Sequence, residues 1–315
     1  YWPMLLGAVY PLGFSPFNHT EVLFLILMVF FAGSYQHPHP FRFGFLFGLG
    51  LASTGLSWIY VSIHQYGHLH PIIATFITLI FISYIGIFYG LMSQFHRYLD
   101  QQKSLIYSPL CFASVWIICE VARSHLFGGF PWLLLGQAAI DSPFQRLLPL
   151  VGIYGTGLIM SWTAASIYLG MLQRGLKKLS LCLPILLLLA LKSFPTPILE
   201  KSHEHFNTTL IQGNVAMLEK WDEAYFWKNY LYYLKSIKNE LHNNQLIILP
   251  EAAISAPSNY MHDELRRIDL MAKNTNSAIV LGIPQAVSTD TDDYYNGSIA
   301  LGQASGHYFK QQLVP

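Results

Sequence analysis

A succession of apolar segments fills the first 195 residues of this chain and limits what it can fold into. Residues 1–199 contain 13 Asp, Glu, Lys and Arg residues, whereas the shorter stretch 200–315 contains 22. Soluble domains carry about 25% charged residues, but this chain carries 11% and is 53% hydrophobic. The sequence therefore predicts a membrane-embedded N-terminal part followed by a soluble domain.

Short polar stretches divide the N-terminal part into seven apolar segments. A helix that crosses a bilayer needs about 17–25 residues, so several segments are long enough, while the first two and the last are marginal. We expect about seven membrane-spanning helices in residues 1–195, a connector over residues 196–207 and a separate domain over residues 208–315. The segments are Tyr1–Phe17, Val22–Tyr35, Phe43–Ile63, Ile72–Phe95, Leu105–Val121, Leu147–Leu172 and Leu179–Phe194.

The basic residues of the short loops predict the orientation of these segments. Loops that contain Lys and Arg stay in the cytoplasm, and here they follow the second, fourth and sixth segments. The chain would then leave its seventh segment on the outer side, which in a bacterium is the periplasmic side of the inner membrane. The basic loop residues are Arg42, Arg97, Lys103, Arg174, Lys177 and Lys178.

Beyond the connector, short apolar runs alternate with helical patterns. Strand, helix, strand, helix and strand follow one another, and a turn at Gly302–Gly306 separates two further strands. This order predicts an α/β domain with a mixed sheet. The predicted strands are Thr208–Ile211, Leu246–Leu249, Ala278–Leu281, Tyr294–Leu301 and Gly306–Lys310, and the predicted helices are Asp222–Leu241 and His262–Asn274.

One carboxylate stands directly after the most apolar of these strands. Leu246–Leu249 runs into Pro250, which cannot donate a ladder hydrogen bond, and then into Glu251. Ligands of open α/β folds bind outside the carboxyl ends of the strands, so Glu251 is a candidate for acid–base chemistry. The alternative is a strand-end acid that caps the next helix or faces water.

The N-terminal part offers further candidates on its predicted outer side. Arg123 and Glu120 lie one helical turn apart and could pair, and ionisable groups at the end of a span often mark functional sites. Trp132 fits the aromatic belt of a membrane interface, and Trp58 begins a second aromatic-rich segment. The alternative is an interfacial anchor that keeps this loop at the headgroups.

Other residue classes argue against several functions. The sequence has no stripe of basic residues of the kind that binds nucleic acid. The three cysteines have neither the spacing of a zinc site nor that of a redox pair. We expect the histidine pairs to make interfacial polar contacts and expect no metal. The cysteines are Cys111, Cys119 and Cys182, and the pairs are His37/His39, His68/His70 and His203/His205.

Several stretches together resemble one family, the bacterial apolipoprotein N-acyltransferases, which are membrane-bound members of the nitrilase (carbon–nitrogen hydrolase) superfamily. They occur in family order and cover nearly the whole chain. The stretches are Phe14–Phe17, Gly55–Ser62, Phe130–Leu133, Gln212–Asn214, Lys220–Glu223, Leu249–Ala252, Lys310 and Leu313–Pro315.

The resemblance implies a fold and a catalytic triad. The fold would be a multi-span helical bundle followed by an extracytoplasmic nitrilase-like domain, a mixed-sheet α-β-β-α sandwich that is incomplete here at its C-terminus. Glu251 matches the family's general base and Lys310 its oxyanion-stabilising lysine, while the nucleophilic cysteine is expected beyond Pro315. Because all three cysteines fall in the membrane part, the fragment alone is expected to be inactive. Trp221 matches a tryptophan near the active site.

The family reaction implies the partners and no cofactor. An acyl chain passes from a phospholipid, preferably phosphatidylethanolamine, to the enzyme as a thioester and then to the N-terminal amine of a diacylglyceryl-cysteine apolipoprotein. Two other hypotheses remain open at this point. One is a membrane-anchored amidase or nitrilase that acts on a small amide, and the other is a non-enzymatic membrane receptor or transporter. Few buried charges line the apolar segments, which argues against a transport pathway.

Overall fold

A computed structural model of the chain describes residues 1–100, 106–172, 207–242, 245–286 and 293–311. The chain divides into two compact units, one within Tyr1–Leu199 and the other within Glu200–Val314. Each unit has its own hydrophobic core. The predicted seventh segment, Leu179–Phe194, and the connector lie outside the described residues.

The first unit is helical and packs around aromatic side chains. Phe30, Phe47, Phe112 and Trp116 are fully buried at its centre. Proline opens several of these helices because the first turn leaves its N–H groups unpaired in any case. The helices are α1 (Trp2–Val9), α2 (Thr20–Gln36), α3 (Pro40–Gly55), α4 (Trp58–Val61), α5 (Pro71–Leu99), α6 (Tyr107–His125) and α7 (Leu148–Leu172).

The described helices match the predicted apolar segments unequally. Within the described ranges, three helices are long and apolar enough to cross a membrane, or up to four if the bent pair Pro40–Gly55 and Trp58–Tyr66 is one span. The first predicted segment contains only the 8-residue α1 and a short 3₁₀ turn. Helix α2 has 17 residues, at the lower end of the spanning length. The prediction of about seven spans stays a prediction.

The second unit is built on a five-stranded mixed sheet in the order β1-β2-β3-β4-β5. The first three strands pair in parallel, and β3, β4 and β5 pair antiparallel. This arrangement, after an apolar helical region, confirms the predicted fold class. The strands are β1 (Asn207–Leu210), β2 (Gln245–Ile248), β3 (Ala278–Ala286), β4 (Tyr294–Gly302) and β5 (Gly306–Phe309).

Helices connect the parallel strands, as the sequence pattern predicts. A short α8 (Met217–Lys220) and a long α9 (Glu223–Glu240) lie between β1 and β2, and α10 (His262–Asn274) precedes β3. The side chain of Asp222 caps α9 by accepting the N–H of Ala224. Helices α9 and α10 bury apolar stripes in the same core as alternate residues of β3.

Strand β3 is longer than the sequence pattern indicates. The predicted strand ends at Leu281 before Gly282, but β3 continues to Ala286. Pairing with β2 covers only the first residues of β3, whereas pairing with β4 covers its whole length. Pro284 therefore lies past the β2 ladder, where its missing N–H costs little. The extension carries β3 alongside the residues that follow β2.

Candidate active site

Glu251 lies just past the carboxyl end of β2, a central strand of the sheet. Leu249 continues the ladder by donating its N–H to the carbonyl of Val280 at 2.9 Å. Pro250 then ends the pairing, and Ala252 adopts a positive φ of 45° that turns the chain back into the core. The Glu251 side chain stays 63% exposed, so a substrate can reach its carboxylate.

Lys310 and Asn296 converge on one oxygen of this carboxylate. The Lys310 Nζ lies 3.3 Å from Glu251 Oε1, and Asn296 Nδ2 donates a hydrogen bond to the same oxygen. Asn296 is also tied to Lys310, whose N–H donates to the Asn296 carbonyl at 2.8 Å. The β4–β5 hairpin thus brings both residues to Glu251, whereas the catalytic roles expected for Glu251 and Lys310 stay predictions.

These contacts set the charge of the carboxylate. The hydrogen bonds from Asn296 and Lys310 lower the pKa of Glu251, because both donors stabilise the ionised form. The carboxylate is therefore ionised at neutral pH and can accept a proton. A general base must be deprotonated and exposed to its substrate, and Glu251 meets both conditions.

Lys220 binds the backbone of Glu251, whereas Asn296 and Lys310 bind its side chain. Its Nζ donates to the backbone carbonyl of Glu251 at 2.7 Å. Burial lowers the pKa of Lys220, while the charge of Glu251 acts in the opposite direction. Lys220 lines a small cavity of about 140 Å³ together with Gln212–Asn214, Asn229 and Pro250. The Gln212–Asn214 motif and the loop Pro250–Ala253 after β2 thus share one depression.

Trp221 follows Lys220 directly and ends α8 with half of its surface exposed. Its position beside Lys220 places it in the same part of the second unit as Glu251. Its predicted role in positioning a substrate stays a prediction.

Trp58, Trp132 and Arg123 come together in the first unit. Trp132 stacks on Phe130 with ring centroids 4.9 Å apart, and Trp58 lies 5.8 Å from Trp132. We call Trp58, Phe130 and Trp132 the aromatic cluster. Trp58 and Trp132 are 42% and 38% exposed, whereas Arg123 is buried beneath them at 1%.

Glu120 and Arg123 bind different partners. Glu120 accepts hydrogen bonds from the Trp116 indole at 3.0 Å and from the N–H of Leu135 at 2.9 Å. Arg123 instead donates to backbone carbonyls. The predicted pairing is therefore replaced by two separate attachments to the following loop.

The described members of the histidine pairs and of the cysteines belong to the first unit. His37 and His39 contact each other through a backbone carbonyl, and in the described residues no group of three His, Cys, Asp or Glu could hold a metal ion. Cys111 and Cys119 are unoxidised and lie in α6 among apolar side chains. Cys182 and the pair His203/His205 lie outside the described residues.

Sequence reasoning did not assign a role to Asn296 or Lys220. Asn296 was noticeable only as part of an Asn-Gly-Ser glycosylation pattern. The register of the β4–β5 hairpin is the feature that indicates Asn296, because a turn near Gly302–Gly306 brings residues near 296 opposite Lys310. Lys220 belongs to the Lys220–Glu223 stretch, but nothing in its spacing predicts a bond to the Glu251 carbonyl.

Comparison with known proteins agrees with both units. The family described as "Apolipoprotein N-acyltransferase N-terminal domain" matches residues 6–166, and the family described as "Carbon-nitrogen hydrolase" matches residues 207–315. An apolar helical region joined to a carbon–nitrogen hydrolase domain defines the class of protein. The chain belongs to the apolipoprotein N-acyltransferase family.

Curated relatives match the chain nearly from end to end. Apolipoprotein N-acyltransferase of Coxiella burnetii is 33% identical over 99% of this chain and 65% of its own length. The relatives from Azotobacter vinelandii and Pasteurella multocida are each 29% identical, over 100% and 98% of this chain. The chain spans 62–65% of the length of these three relatives.

Proposed function

We propose that the protein containing this chain transfers an acyl chain from a phospholipid to the N-terminal amine of a diacylglyceryl-cysteine apolipoprotein. The observation that carries the proposal is the ionised Glu251, held by Asn296 and Lys310 at the strand end of a carbon–nitrogen hydrolase domain. The names of the curated relatives support the same acceptor.

The first half of the reaction forms an acyl-enzyme. A cysteine thiol outside residues 1–315 acts as nucleophile, because the cysteines of this chain fall in its apolar part. Glu251 takes the thiol proton, since only the thiolate is nucleophilic. The sulfur bonds to the ester carbonyl carbon of the phospholipid, and Lys310 stabilises the resulting oxyanion. The carbon–oxygen bond then breaks, and Glu251 returns the proton to the leaving lysophospholipid oxygen.

The second half transfers the chain to the lipoprotein. The neutral α-amine of the diacylglyceryl-cysteine attacks the thioester carbonyl, and Glu251 takes the proton that the nitrogen loses. The carbon–sulfur bond breaks to form the amide and to release the sulfur, which recovers the proton from Glu251. The same base and the same cation thus serve both steps.

We place the catalytic domain on the periplasmic side of the inner membrane and take phosphatidylethanolamine as the donor. The contact that supports this orientation is the hydrogen bond from Arg97 Nη1 to the His37 carbonyl at 2.6 Å. It joins the connection before α3, whose first turn carries Arg42, to the last turn of α5, which carries Arg97, so two basic helix ends lie on one side of the bundle. Loops of this kind remain cytoplasmic. A chain with seven spans would therefore emerge from its last span on the periplasmic side, where the second unit follows.

Acyl transfer by the full-length protein in phospholipid vesicles tests the proposal. With phosphatidylethanolamine that carries a labelled acyl chain, we expect a labelled thioester protein that hydroxylamine cleaves. Adding a diacylglyceryl-cysteine peptide should move the label to the peptide amine and release the thiol. Hydrolysis of a soluble amide without acyl transfer would favour an anchored amidase instead, and would refute the proposal.

Replacing Lys220 with Met is expected to shift the pH dependence of acyl transfer. The base works only while ionised, so the rate falls as the pH drops through the lowered pKa of Glu251. Lys220 is one of the cations that hold this pKa down. Its removal raises the pKa, and the acidic fall of the rate moves to higher pH.

The pH–rate profile of the full-length protein, measured for both variants and wild type, checks this shift. Lys235→Met removes an equal charge from the exposed surface of α9 and should leave the profile unchanged. An acidic limb at the same pH in Lys220→Met would show that Lys220 has no electrostatic effect on the base.

A further inference from the structure

Three side chains hold five backbone groups of the loop 130–135, between α6 and α7. We call Glu120, Arg123 and Gln137 the loop clamp. Buried backbone groups away from water need such partners. The hydrogen bonds run from Arg123 to the carbonyls of Phe130 (3.0 Å) and Trp132 (2.7 Å), from Gln137 to the carbonyl of Pro131 (3.1 Å), from the N–H of Leu134 to Gln137 (3.1 Å), and from the N–H of Leu135 to Glu120 (2.9 Å).

The clamped loop contains a strained residue. Leu133 has a φ of 54°, in the left-handed region that residues other than glycine rarely adopt. Its side chain lies against Gly55 at the end of α3, while the neighbouring Trp132 faces Trp58. Strain of this kind persists only where the surroundings fix it, and it is common at ligand-binding sites.

The aromatic cluster lies well away from the end of α5 that carries Arg97. Phe130 packs on Phe81 with ring centroids 4.9 Å apart. Phe81 and Arg97 are sixteen residues apart on α5, which corresponds to about 24 Å along a helix. Across a hydrocarbon core of about 30 Å, this depth lies near the far boundary of the acyl chains, where partly exposed tryptophans adjoin the layer of ester groups.

We propose that the loop clamp holds the aromatic cluster in a fixed geometry that binds the glycerol-ester region of the donor phospholipid. This inference rests on the proposed function and adds positioning residues to it. Tryptophan rings present apolar faces and an N–H group, which suits a ligand that has both acyl chains and ester oxygens. Because the aromatic cluster is ordered before the lipid binds, binding does not carry the entropy cost of ordering it.

Arg123 acts through the loop in this arrangement. Its side chain is buried, and its Nη1 is committed to two carbonyls, so the exposed contact with lipid belongs to Trp58 and Trp132. A lysine has a single ammonium group and lacks the planar fork of arginine. Arg123→Lys would therefore keep the charge and loosen the loop.

Varying the phosphatidylethanolamine content of vesicles, with the full-length protein and a fixed acceptor peptide, separates the effects on KM from those on kcat. We expect Arg123→Lys and Gln137→Ala each to raise the KM for phosphatidylethanolamine about tenfold and to change kcat less than threefold. Gln137 is half-buried, whereas Arg123 is fully buried, so the Gln137 variant is the safer of the two for folding. Gln145→Ala, in an exposed residue of the same connection, serves as the matched control.

A double-mutant comparison with Trp132→Ala decides whether the clamp acts through the aromatic cluster. In that background, Gln137→Ala should change KM less than twofold, because the platform is already lost. If Gln137→Ala raised KM by the same factor with and without Trp132→Ala, the two residues would act independently and the inference would be overturned. Unchanged KM values in both Arg123→Lys and Gln137→Ala would overturn it as well. Absence of acyl transfer by the wild-type protein would refute the proposed function itself.

Discussion

Glu251→Gln in the full-length protein is expected to slow acyl-enzyme formation by at least ~100-fold, because a positioned general base contributes about 10²–10⁴-fold to a rate. Glutamine has nearly the same size, and its Oε1 can still accept the hydrogen bonds of Asn296 and Lys310. Its amide cannot take a proton from the thiol. The loss is therefore chemical, with the loop geometry retained.

Single-turnover transfer from labelled phosphatidylethanolamine to the protein measures this loss directly. Thermal unfolding should change little, since an ion pair at an exposed carboxylate contributes about 0–1 kcal/mol. Glu223→Gln removes the same charge from an exposed position at the start of α9 and should keep the wild-type rate. If Glu251→Gln formed the thioester as fast as the wild type, another group would have to be the base.

Local patterns were sufficient to predict the elements that carry Glu251 and Lys310. Periodicity and turn residues predicted every described strand of the second unit. One or both predicted ends of each strand differ from the observed ends by a few residues. The position of Glu251 followed from one local fact, which is that proline stops a ladder before an acid. Its partner Lys310 came from family resemblance, because a lysine at the end of a strand has no distinctive pattern.

The contacts missed at the site depend on register and on backbone geometry. Asn296 reaches Glu251 because β4 pairs with the extension of β3, which the pattern ended at Gly282. Apolar periodicity indicates where a strand is buried, whereas the length of β3 is decided by its partner β4. Lys220 binds a backbone carbonyl, and such an acceptor exists at every residue, so no residue type indicates it.

In the first unit, hydropathy predicted helices but not their attachments. The breaks at Gly55–Trp58 and at Gly152, which has a φ of 66° within α7, do not interrupt the apolar pattern. The Glu120–Arg123 spacing favoured an ion pair, yet the unpaired backbone of the next loop provides the partners of both side chains. Backbone groups compete for charged side chains wherever no water is available.

Gly282 is the position where one added methyl group is expected to damage the site most. A Cβ there would lie 2.5 Å from the N atom of Ala252, 2.6 Å from the carbonyl oxygen of Pro250 and 2.7 Å from the Cα atom of Glu251. All three are backbone atoms of the loop Pro250–Ala253 after β2, so no side chain can rotate away. Ala252 and the following residues are buried in the core, which leaves the loop only outward movement.

Gly282→Ala should therefore move Glu251 relative to Lys310 and Asn296, which belong to the β4–β5 hairpin. A displacement of about 1 Å at a catalytic group can cost about 100-fold in rate, while overpacking costs about 1–3 kcal/mol of folding stability. We expect kcat to fall about 100-fold, KM for phosphatidylethanolamine to stay near its wild-type value, and the protein to remain folded. Gly86→Ala is the matched control, because its added methyl meets the Phe45 and Leu49 side chains at 3.1–3.3 Å, which can yield. A fully active Gly282→Ala variant would mean that the carboxylate does not need this close approach of β3, since the loop would then have moved without consequence for the chemistry.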